Sequence, residues 1–442
     1  MERFSVARAN VDVPPVIVIA GVYAPDELPS MEHLRDRLPG MLSSYPLLKC
    51  RILDGRTRSP RFVTCDLSAD QVLFSDDSPQ DSVDAIILAE LEAGAALDLA
   101  TGPLWRLTRH AASGTITLTM SHANTDGRGS LNALVRFLDK SVLPSPPDRL
   151  TPSLEQSLDV TPSWSQLLIM FYQEKIAKQL PGWLGLAPRP CWPHAVLRRP
   201  KDCAQGLRTF AWSATIVSRL KAVARLHGVA TLQPVLMTAI MAALVIAVSD
   251  EEVLVSLSTP VSLRDARIHT DATGNFPTLI VTRYALRQEQ DFWQRAREYA
   301  VTLNSPAERS WAQGMIGMIA YGPDSPHHKP TPEEPTEKEA ILRRAYSTHP
   351  YFRGSVELSN LGAIRVPDNM HRIIFAQAAS PMGYPLCFNA VGGVNRDLII
   401  TLTYFQDALG PDLIERLGSA FELAISRLIS GEQAATFSEL CS

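Results

Sequence analysis

The spacing of apolar residues in the first third of the chain predicts alternating strands and helices. The segment VIVIAGVY is rich in β-branched side chains, and TITLTMS alternates along its length, so each predicts a strand. Pro39-Gly40 interrupts one helical pattern and could divide it. The predicted strands are 16–23, 104–110 and 115–121, the last two forming a hairpin, and the predicted helices are 30–45, 84–94 and 130–139.

The second half again mixes helices and strands. Its longest apolar run, Pro234–Ser249, is too short to span a bilayer comfortably and predicts a helix buried on all sides. No stable membrane insertion is therefore expected. The predicted helices are 216–227, 234–249 and 411–428, and the predicted strands are 252–258, 279–284 and 397–404.

Two proline-rich connectors, at 143–152 and 186–200, indicate where the chain divides. We predict an N-terminal domain over 1–185, a linker over 186–212 and a C-terminal domain over 213–442. A polar, proline-rich segment at 323–337 predicts an exposed loop, either a surface insertion or a lid.

Composition narrows the function classes. Of the 442 residues, 45% are hydrophobic and 20% are charged, the net charge is -4, and the pI is near 6.2, so no broad basic field points to nucleic acid. The six cysteines match no zinc or disulfide pattern, and residues 16–23 lack the flanks of a signal peptide. We therefore expect a cytoplasmic protein without a metal site.

Three further features of the sequence favour structural roles over functional ones. His327-His328 lies in a proline-rich loop without other ligands, which predicts solvated surface rather than metal binding. The aromatic cluster of Trp164, Phe171, Tyr172 and Trp183 is interpreted as helix packing rather than membrane contact. Residues 127–132 (GRGSLN) begin like a dinucleotide-binding motif, but the sixth position is Asn and no suitable βαβ unit follows.

The segment that carries chemistry is 115–139. A strand runs directly into Ser121-His122, a short loop leads to Asp126-Gly127, and a helix follows with Ser130 as its predicted N-cap. An imidazole titrates near neutrality, so His122 at a strand end suits a general base that accepts a proton from a hydroxyl or amine. Asp126 either orients His122, as in a catalytic triad, or is structural and pairs with a distant arginine.

The segment SHANTDG resembles the HxxxD(G) motif of the thioester-dependent acyltransferase superfamily. That superfamily includes chloramphenicol acetyltransferase, plant BAHD acyltransferases, alcohol acetyltransferases and the condensation domains of peptide synthetases. Other stretches agree with it in order along nearly the whole chain: Tyr45–Leu48 with Arg51-Ile52, Gly102–Arg106, Gly228–Leu232, Pro260–Arg264, Gly274–Phe276 and Ser359–Gly362.

The resemblance implies an α/β fold of two chloramphenicol-acetyltransferase-like domains, with mixed sheets flanked by helices and an active-site tunnel between the domains. His122 would stand midway along the tunnel and deprotonate the acceptor. Asp126 and Arg264 match a structural pair of the superfamily, and Gly127 would leave room for the pantetheine or the acceptor.

The resemblance also suggests residues that contact the oxyanion or the substrate. Ser359 and Asn360 match a strand-end SN(x)G motif and are candidate oxyanion donors, and a polar strand terminus without a catalytic part is the equal alternative. Ser121 and Asn275 are further substrate-contact candidates. Ser121 replaces the first histidine of the HHxxxDG form in condensation domains, which makes amide-forming condensation less expected, and the DFGWG motif of the BAHD enzymes is absent.

The sequence therefore predicts a monomeric, acyl-CoA-dependent O-acyltransferase of specialised metabolism. Acetyl is the default acyl group, the acceptor is a small alcohol, and acyl-CoA is a co-substrate rather than a bound cofactor. The alternatives are a condensation-like enzyme that takes a phosphopantetheine thioester from a carrier protein, and a non-catalytic binding module of the same fold. A serine hydrolase is excluded because no GxSxG motif is present.

Overall fold

The computed structural model of the chain describes residues 2–11, 14–57, 60–78, 82–139, 153–172, 191–193, 204–264, 272–318, 336–348, 354–379, 383–430 and 436–441. The connector at 143–152, His327-His328 and Trp183 lie outside the described residues. So do most of the connector at 186–200 and most of the loop at 323–337.

The strands alternate with helices along most of the chain. The strands are β1 (Val16–Tyr23), β2 (Cys50–Leu53), β3 (Arg61–Thr64), β4 (Leu73–Asp76), β5 (Trp105–His110), β6 (Thr115–Ser121), β7 (Gln205–Trp212), β8 (Val253–Ser262), β9 (Pro277–Leu286), β10 (Val356–Ile364), β11 (Met370–Gln377), β12 (Leu386–Gly393) and β13 (Leu398–Phe405).

The helices are α1 (Glu2–Ala9), α2 (Met31–Ser44), α3 (Ala69–Val72), α4 (Val83–Ala95), α5 (Gly127–Leu138), α6 (Leu154–Ser157), α7 (Trp164–Phe171), α8 (Ala214–Leu226), α9 (Leu232–Val248), α10 (Phe292–Asn304), α11 (Pro306–Gly317), α12 (Glu337–Thr348), α13 (Pro411–Ser430) and α14 (Phe437–Cys441), with a 3₁₀ turn at Pro46–Lys49.

The first sheet has five strands in the spatial order β11-β1-β6-β5-β4. Strand β1 lies inside the sheet, between β11 and β6, and is covered on both faces. Ile17 and Ile19 pack in the cluster that includes α2 and α5, while Val18 packs with Ile87 of α4. Two-sided burial explains why VIVIAGVY is an unbroken apolar run. The predicted strand 16–23 and the predicted hairpin of 104–110 and 115–121 are confirmed.

Strand β11 joins this sheet from the second half of the chain. It pairs antiparallel with β1, and the register runs from Ile17 opposite Gln377 to Tyr23 opposite Met370. The two halves of the sequence are therefore connected by a shared sheet as well as by the chain between them.

The second sheet has six strands in the order β7-β13-β12-β10-β8-β9. Strand β10 is parallel to β8 and β12, and the remaining pairs are antiparallel, so the sheet is mixed. The α9 helix and α13 pack on it in the largest hydrophobic cluster of the described residues. Almost every side chain of α9 is buried, which confirms the predicted buried helix at 234–249.

Residues 205–212 correct the predicted linker over 186–212. They form β7, which pairs antiparallel with β13 from Trp212 opposite Leu398 to Gln205 opposite Phe405. Their strand pattern is weak because β7 is an edge strand in which only two side chains, those of Phe210 and Trp212, are buried. The division of the chain into two domains stays a prediction.

Two local predictions from the sequence, the N-cap of α5 and the packing of the α7 aromatic residues, are wrong, and the possible division of α2 is not seen. The N-cap of α5 is Asp126 rather than Ser130, because the Asp126 carboxylate accepts from Gly129 N at 2.8 Å and the helix begins four residues before its apolar stripe becomes obvious. The α2 helix continues through Pro39 without dividing. The aromatic residues of α7 do not pack inside, since Trp164 is 81% exposed and Phe171 is 56% exposed.

None of the helices in the described part of the chain is long and apolar enough to cross a membrane. Among the cysteines that the structure describes, Cys50, Cys65, Cys191, Cys387 and Cys441 are free thiols. No cluster of three metal-ligating side chains is found in the same described ranges.

Candidate active site

A cavity of about 620 Å³ opens where the two sheets approach each other. Its walls come from α1, the loop between β6 and α5, the ends of β8 and β9, strand β10, and the chain between β11 and β12. Both halves of the sequence therefore contribute to one cavity, in keeping with the predicted tunnel.

His122 follows β6 directly and lines this cavity. Its backbone N donates to Pro15 O at 2.8 Å, and its carbonyl accepts from Asn275 Nδ2 at 2.9 Å. These two bonds hold the main chain of His122 at the cavity wall. This is the rigidity that a positioned base requires.

The imidazole of His122 is partly exposed, and its Nδ1 is buried without a hydrogen-bond partner. Burial lowers the pKa of His122 below its ordinary value, and the nearby charge of Asp126 opposes that shift only in part. The ring is consequently neutral at physiological pH. A neutral imidazole that faces a cavity can accept a proton from a bound hydroxyl or amine.

Asp126, in the loop that follows His122, forms a bidentate ion pair with Arg264. Arg264 Nη1 donates to Asp126 Oδ2 at 2.7 Å, Arg264 Nη2 donates to Asp126 Oδ1 at 2.8 Å, and both side chains are 5% exposed. The carboxylate also accepts from Gly129 N at 2.8 Å and Phe276 N at 3.0 Å. Because its oxygens are occupied in this way, Asp126 is placed to hold the loop rather than to hydrogen-bond the His122 ring.

Residues 274–276 fasten the loop that carries His122. Asp126 N donates to Gly274 O at 3.0 Å, Phe276 N donates to the Asp126 carboxylate at 3.0 Å, and Asn275 donates to the His122 carbonyl. The segment that leads into β9, from the second half of the chain, thus fixes the backbone of the loop from the first half. These hydrogen bonds reach the main chain of the loop and the Asp126 carboxylate that caps α5. They therefore position His122 and do not contact its imidazole.

Gly127 lies at a close approach in the same loop. A Cβ at this position would stand 3.1 Å from the side chain of Phe375 and 3.2 Å from that of Leu361. A glycine at position 127 therefore allows the start of α5 to pack closely against strands β10 and β11. It also lines the cavity, where the sequence had placed it for access of the pantetheine or acceptor.

The remaining residues predicted from the sequence divide into two groups. Ser359 and Asn360 of β10 line the cavity. Asn360 Oδ1 already accepts from Gly362 N at 2.8 Å, at an irregularity in the pairing of β10 with β12 where Gly362 has a φ of 74°. Ser121 lines a different cavity of about 340 Å³, and its Oγ accepts from Ala123 N. Asn275 acts through the backbone of His122 and does not line the His122 cavity.

Sequence reasoning missed three residues that line the cavity, Arg8, Glu357 and Tyr384. Glu357 accepts from Ser258 Oγ at 3.2 Å, and burial raises the pKa of this carboxyl to about 7. Burial likewise raises the pKa of Tyr384. Glu357 and Ser359 are two apart on one strand and so share a face, which is the signal that could have found Glu357. No comparable signal pointed to Arg8, because α1 has little hydrophobic periodicity.

No family model matches the chain, and a search of curated proteins returns no similar sequence. Similarity appears at the level of structure. Polyketide synthase associated protein 5 from Mycobacterium tuberculosis aligns at 16% identity over 96% of this chain and 97% of that chain, with a TM-score of 0.59. The epimerization domain from the third module of tyrocidine synthetase B aligns at 14% identity over 97% and 93%, also with a TM-score of 0.59.

A third similar structure is the starter condensation domain of rhizomide synthetase, solved in complex with C8-CoA and Leu-SNAC. It aligns at 15% identity over 98% of this chain and 94% of that chain, with a TM-score of 0.57. At these identities the comparison speaks to fold alone, and it confirms the predicted fold class. This chain has the condensation-domain fold, a chloramphenicol-acetyltransferase-like arrangement of mixed sheets flanked by helices.

Proposed function

We propose that this chain is an acyltransferase that moves an acyl group from a pantetheine thioester to a hydroxyl or amine, with His122 as general base. The observation that carries the proposal is the His122 imidazole itself. It is kept neutral by burial, fixed through both of its backbone groups, and directed at a cavity of about 620 Å³.

The proposed reaction makes use of that geometry. His122 takes the proton of the acceptor as its oxygen or nitrogen attacks the thioester carbonyl, which forms a tetrahedral intermediate. Collapse of the intermediate breaks the carbon–sulfur bond, and the imidazolium returns its proton to the departing thiolate. The products are an ester or amide and a free thiol, so atoms and charge balance. A general base that acts in this way accelerates the reaction about 10²–10⁴-fold.

Two donors fit the same chemistry. The condensation-domain fold favours a thioester on the phosphopantetheine of a carrier protein. The second candidate, acyl-CoA-dependent O-acylation, is supported by Ser121 in place of the first motif histidine and by the C8-CoA bound to the rhizomide synthetase domain. Both donors end in the same pantetheine arm, so a single cavity suits either.

The deciding experiment supplies three donor forms with one mixed library of alcohols and amines. Acyl-N-acetylcysteamine thioesters test the thioester chemistry alone, acyl-CoA tests the free donor, and acyl-carrier protein tests the bound donor, each with mass-spectrometric detection of the acylated acceptor. His122→Ala is expected to lower turnover at least about 100-fold while donor binding is retained.

His371→Ala is the matched control, because His371 lies on β11 with its side chain 56% exposed and its Nε2 3.4 Å from Glu27 Oε2. It should leave turnover unchanged. Acylation that persists in His122→Ala contradicts the catalytic role. Absence of acylation with all three donors favours the non-catalytic binding module.

A further inference from the structure

Among the residues that the structure describes, Arg8 has no acceptor for its charge, and it lies in the wall of the cavity that His122 lines. It comes from α1 and lines the cavity with His122. Its Nε is buried without a hydrogen-bond partner, and no ion pair or hydrogen bond joins its guanidinium to any residue that the structure describes. Leaving a buried charged donor unsatisfied costs free energy, so such a group is normally matched by an acceptor.

The position of Arg8 is close to the reacting centre. Burial is the main cause of the lowered pKa of His122, and the charge of Arg8 lowers it further. The same charge acts on Glu357, where it opposes the dominant effect of burial. One guanidinium therefore influences two titratable groups of the cavity, and Arg8, His122 and Glu357 all line the same cavity.

The other charges that line the cavity have partners. Asp126 neutralises Arg264 in a bidentate pair, and Arg128 Nη1 donates to Leu361 O at 2.8 Å. Glu357 accepts from the neutral Ser258 hydroxyl and is not ion-paired within the described residues. Near neutrality, where Glu357 is only partly ionised, Arg8 is the arginine of this cavity for which the described residues provide no acceptor.

We propose that Arg8 binds a carboxylate of the acceptor beside His122, so that the acceptor is an organic acid that also carries the reacting hydroxyl or amine. This inference rests on the proposed function, because it names the acceptor of that transfer. A guanidinium presents a planar fork of donors that matches a carboxylate in a bidentate geometry. Arg8 is thus a specificity-determining residue, and the free energy it contributes appears when the acceptor binds.

Glu357 would make this binding depend on pH. The groups that surround it are Arg8 from α1, Ser258 from β8, and Tyr384 and Cys387 from the chain that forms β12. As pH rises from 6 to 8, Glu357 loses its proton and its negative charge competes with the ligand for Arg8. Carboxylate affinity is therefore expected to fall over this range.

The test compares hexanoate with its neutral isostere hexanamide by calorimetry and thermal shift at pH 6 and pH 8. The full-length wild type should bind hexanoate at least about tenfold more tightly than hexanamide at pH 6. Arg8→Gln should abolish that preference, and Arg8→Lys should retain part of it. Arg35→Gln, which removes an exposed arginine paired with Asp70, is the matched control and should change nothing.

A second variant keeps the test meaningful if Arg8→Gln fails to fold. Glu357→Gln leaves α1 intact and should make hexanoate affinity equal at pH 6 and pH 8. Repeating the titration in His122→Ala removes the imidazole as a source of pH dependence, and its hexanoate affinity should match that of the wild type.

The outcomes separate this inference from the proposed function, because binding needs no turnover. Equal binding of hexanoate and hexanamide by the wild type overturns the role of Arg8, whatever the activity assays show. The donor's phosphates are the other source of an anion, and acyl-N-acetylcysteamine donors lack them. If Arg8→Gln lowers turnover with acyl-CoA but not with these donors, Arg8 serves the donor and the assignment to the acceptor is wrong.

Discussion

The cavity that His122 lines has two arginine–carboxylate pairs in its wall, and they differ in how fully their polar atoms are hydrogen-bonded. Arg264 and Asp126 bond each other twice, and the carboxylate takes two more backbone donors. Arg8 and Glu357 influence each other through charge, yet each keeps unused hydrogen-bonding capacity that faces the cavity. The difference separates groups that hold the site together from groups that are available to a ligand.

The Arg264–Asp126 pair shows how a folded protein can tolerate a buried ion pair. Removing two charges from water is costly, and their attraction offsets that cost only when the geometry is good and extra hydrogen bonds are present. Here Arg264 also donates to Ala272 O at 3.0 Å and stacks 4.7 Å from the centroid of Phe276. Arg264 Nε, like Arg8 Nε, is buried without a hydrogen-bond partner, but both terminal nitrogens of Arg264 are bonded, and the pair fixes the loop between β6 and α5.

The largest expected effect is on the satisfied pair. Asp126→Ala leaves the buried Arg264 charge unpaired and removes the α5 N-cap, so we expect a loss of about 3–5 kcal/mol in the free energy of unfolding. Urea unfolding followed by circular dichroism measures it. Arg8→Gln is the matched change on the unsatisfied side and should cost less than about 1 kcal/mol. Equal losses for the two variants would remove the distinction.

Glu357→Gln changes the Arg8–Glu357 pair and is expected to increase the free energy of unfolding, whereas Asp126→Ala decreases it. The folded-state pKa of Glu357 is about 7, above the ordinary 4.5, so the folded protein binds the proton more tightly than the unfolded chain does. This carboxyl stabilises the fold fully below pH 4.5, and its contribution is lost as pH rises to 7. At pH 8 the glutamine variant should therefore be about 1–3 kcal/mol more stable than the wild type.

At pH 4.5 the wild type and Glu357→Gln should unfold at nearly the same denaturant concentration. A stabilisation that is equal at both pH values would mean that titration of Glu357 is not its cause. A destabilisation at pH 8 would mean that the carboxylate has a partner in solution that the structure does not show.

The smallest expected effect concerns the positioning of His122. Asn275→Ala removes the hydrogen bond from Nδ2 to the His122 carbonyl, at 2.9 Å, and should cost about 1 kcal/mol of stability. Turnover should fall several-fold with the KM of the acceptor nearly unchanged. The control is Asn369→Ala, which removes an exposed bond to Glu27 O at 3.3 Å and should alter neither quantity.

The sequence correctly predicted those elements that depend on local patterns of apolar and turn residues. The strand that ends at His122, the buried α9 helix and the hairpin over residues 104–121 follow from apolar periodicity and turn residues. His122 itself was found because a polar ring stands where an apolar strand ends, one short loop before a helix, and such a position favours a functional side chain. The residues alone left Asp126 with two roles, the resemblance favoured the structural one, and the distances to Arg264 agree with it.

The sequence could not predict features that depend on contacts between segments far apart in the chain. Arg8 and Glu357 are far apart in the chain and meet because α1 and β10 border the same cavity. The edge strand β7 has too few buried side chains to stand out from a connector. The exposed aromatic face of α7 shows the same limit, since apolar spacing along a helix does not reveal whether anything covers it.

The antiparallel contact of β11 with β1 has a consequence for dissection of this protein. A fragment that stops before residue 370 would leave one side of β1 with unbonded N–H and C=O groups along an apolar strand, which invites self-association. The first half produced alone should accordingly form insoluble aggregates. A proteolytic cut between the halves should instead leave two polypeptides that co-elute and separate only in denaturant.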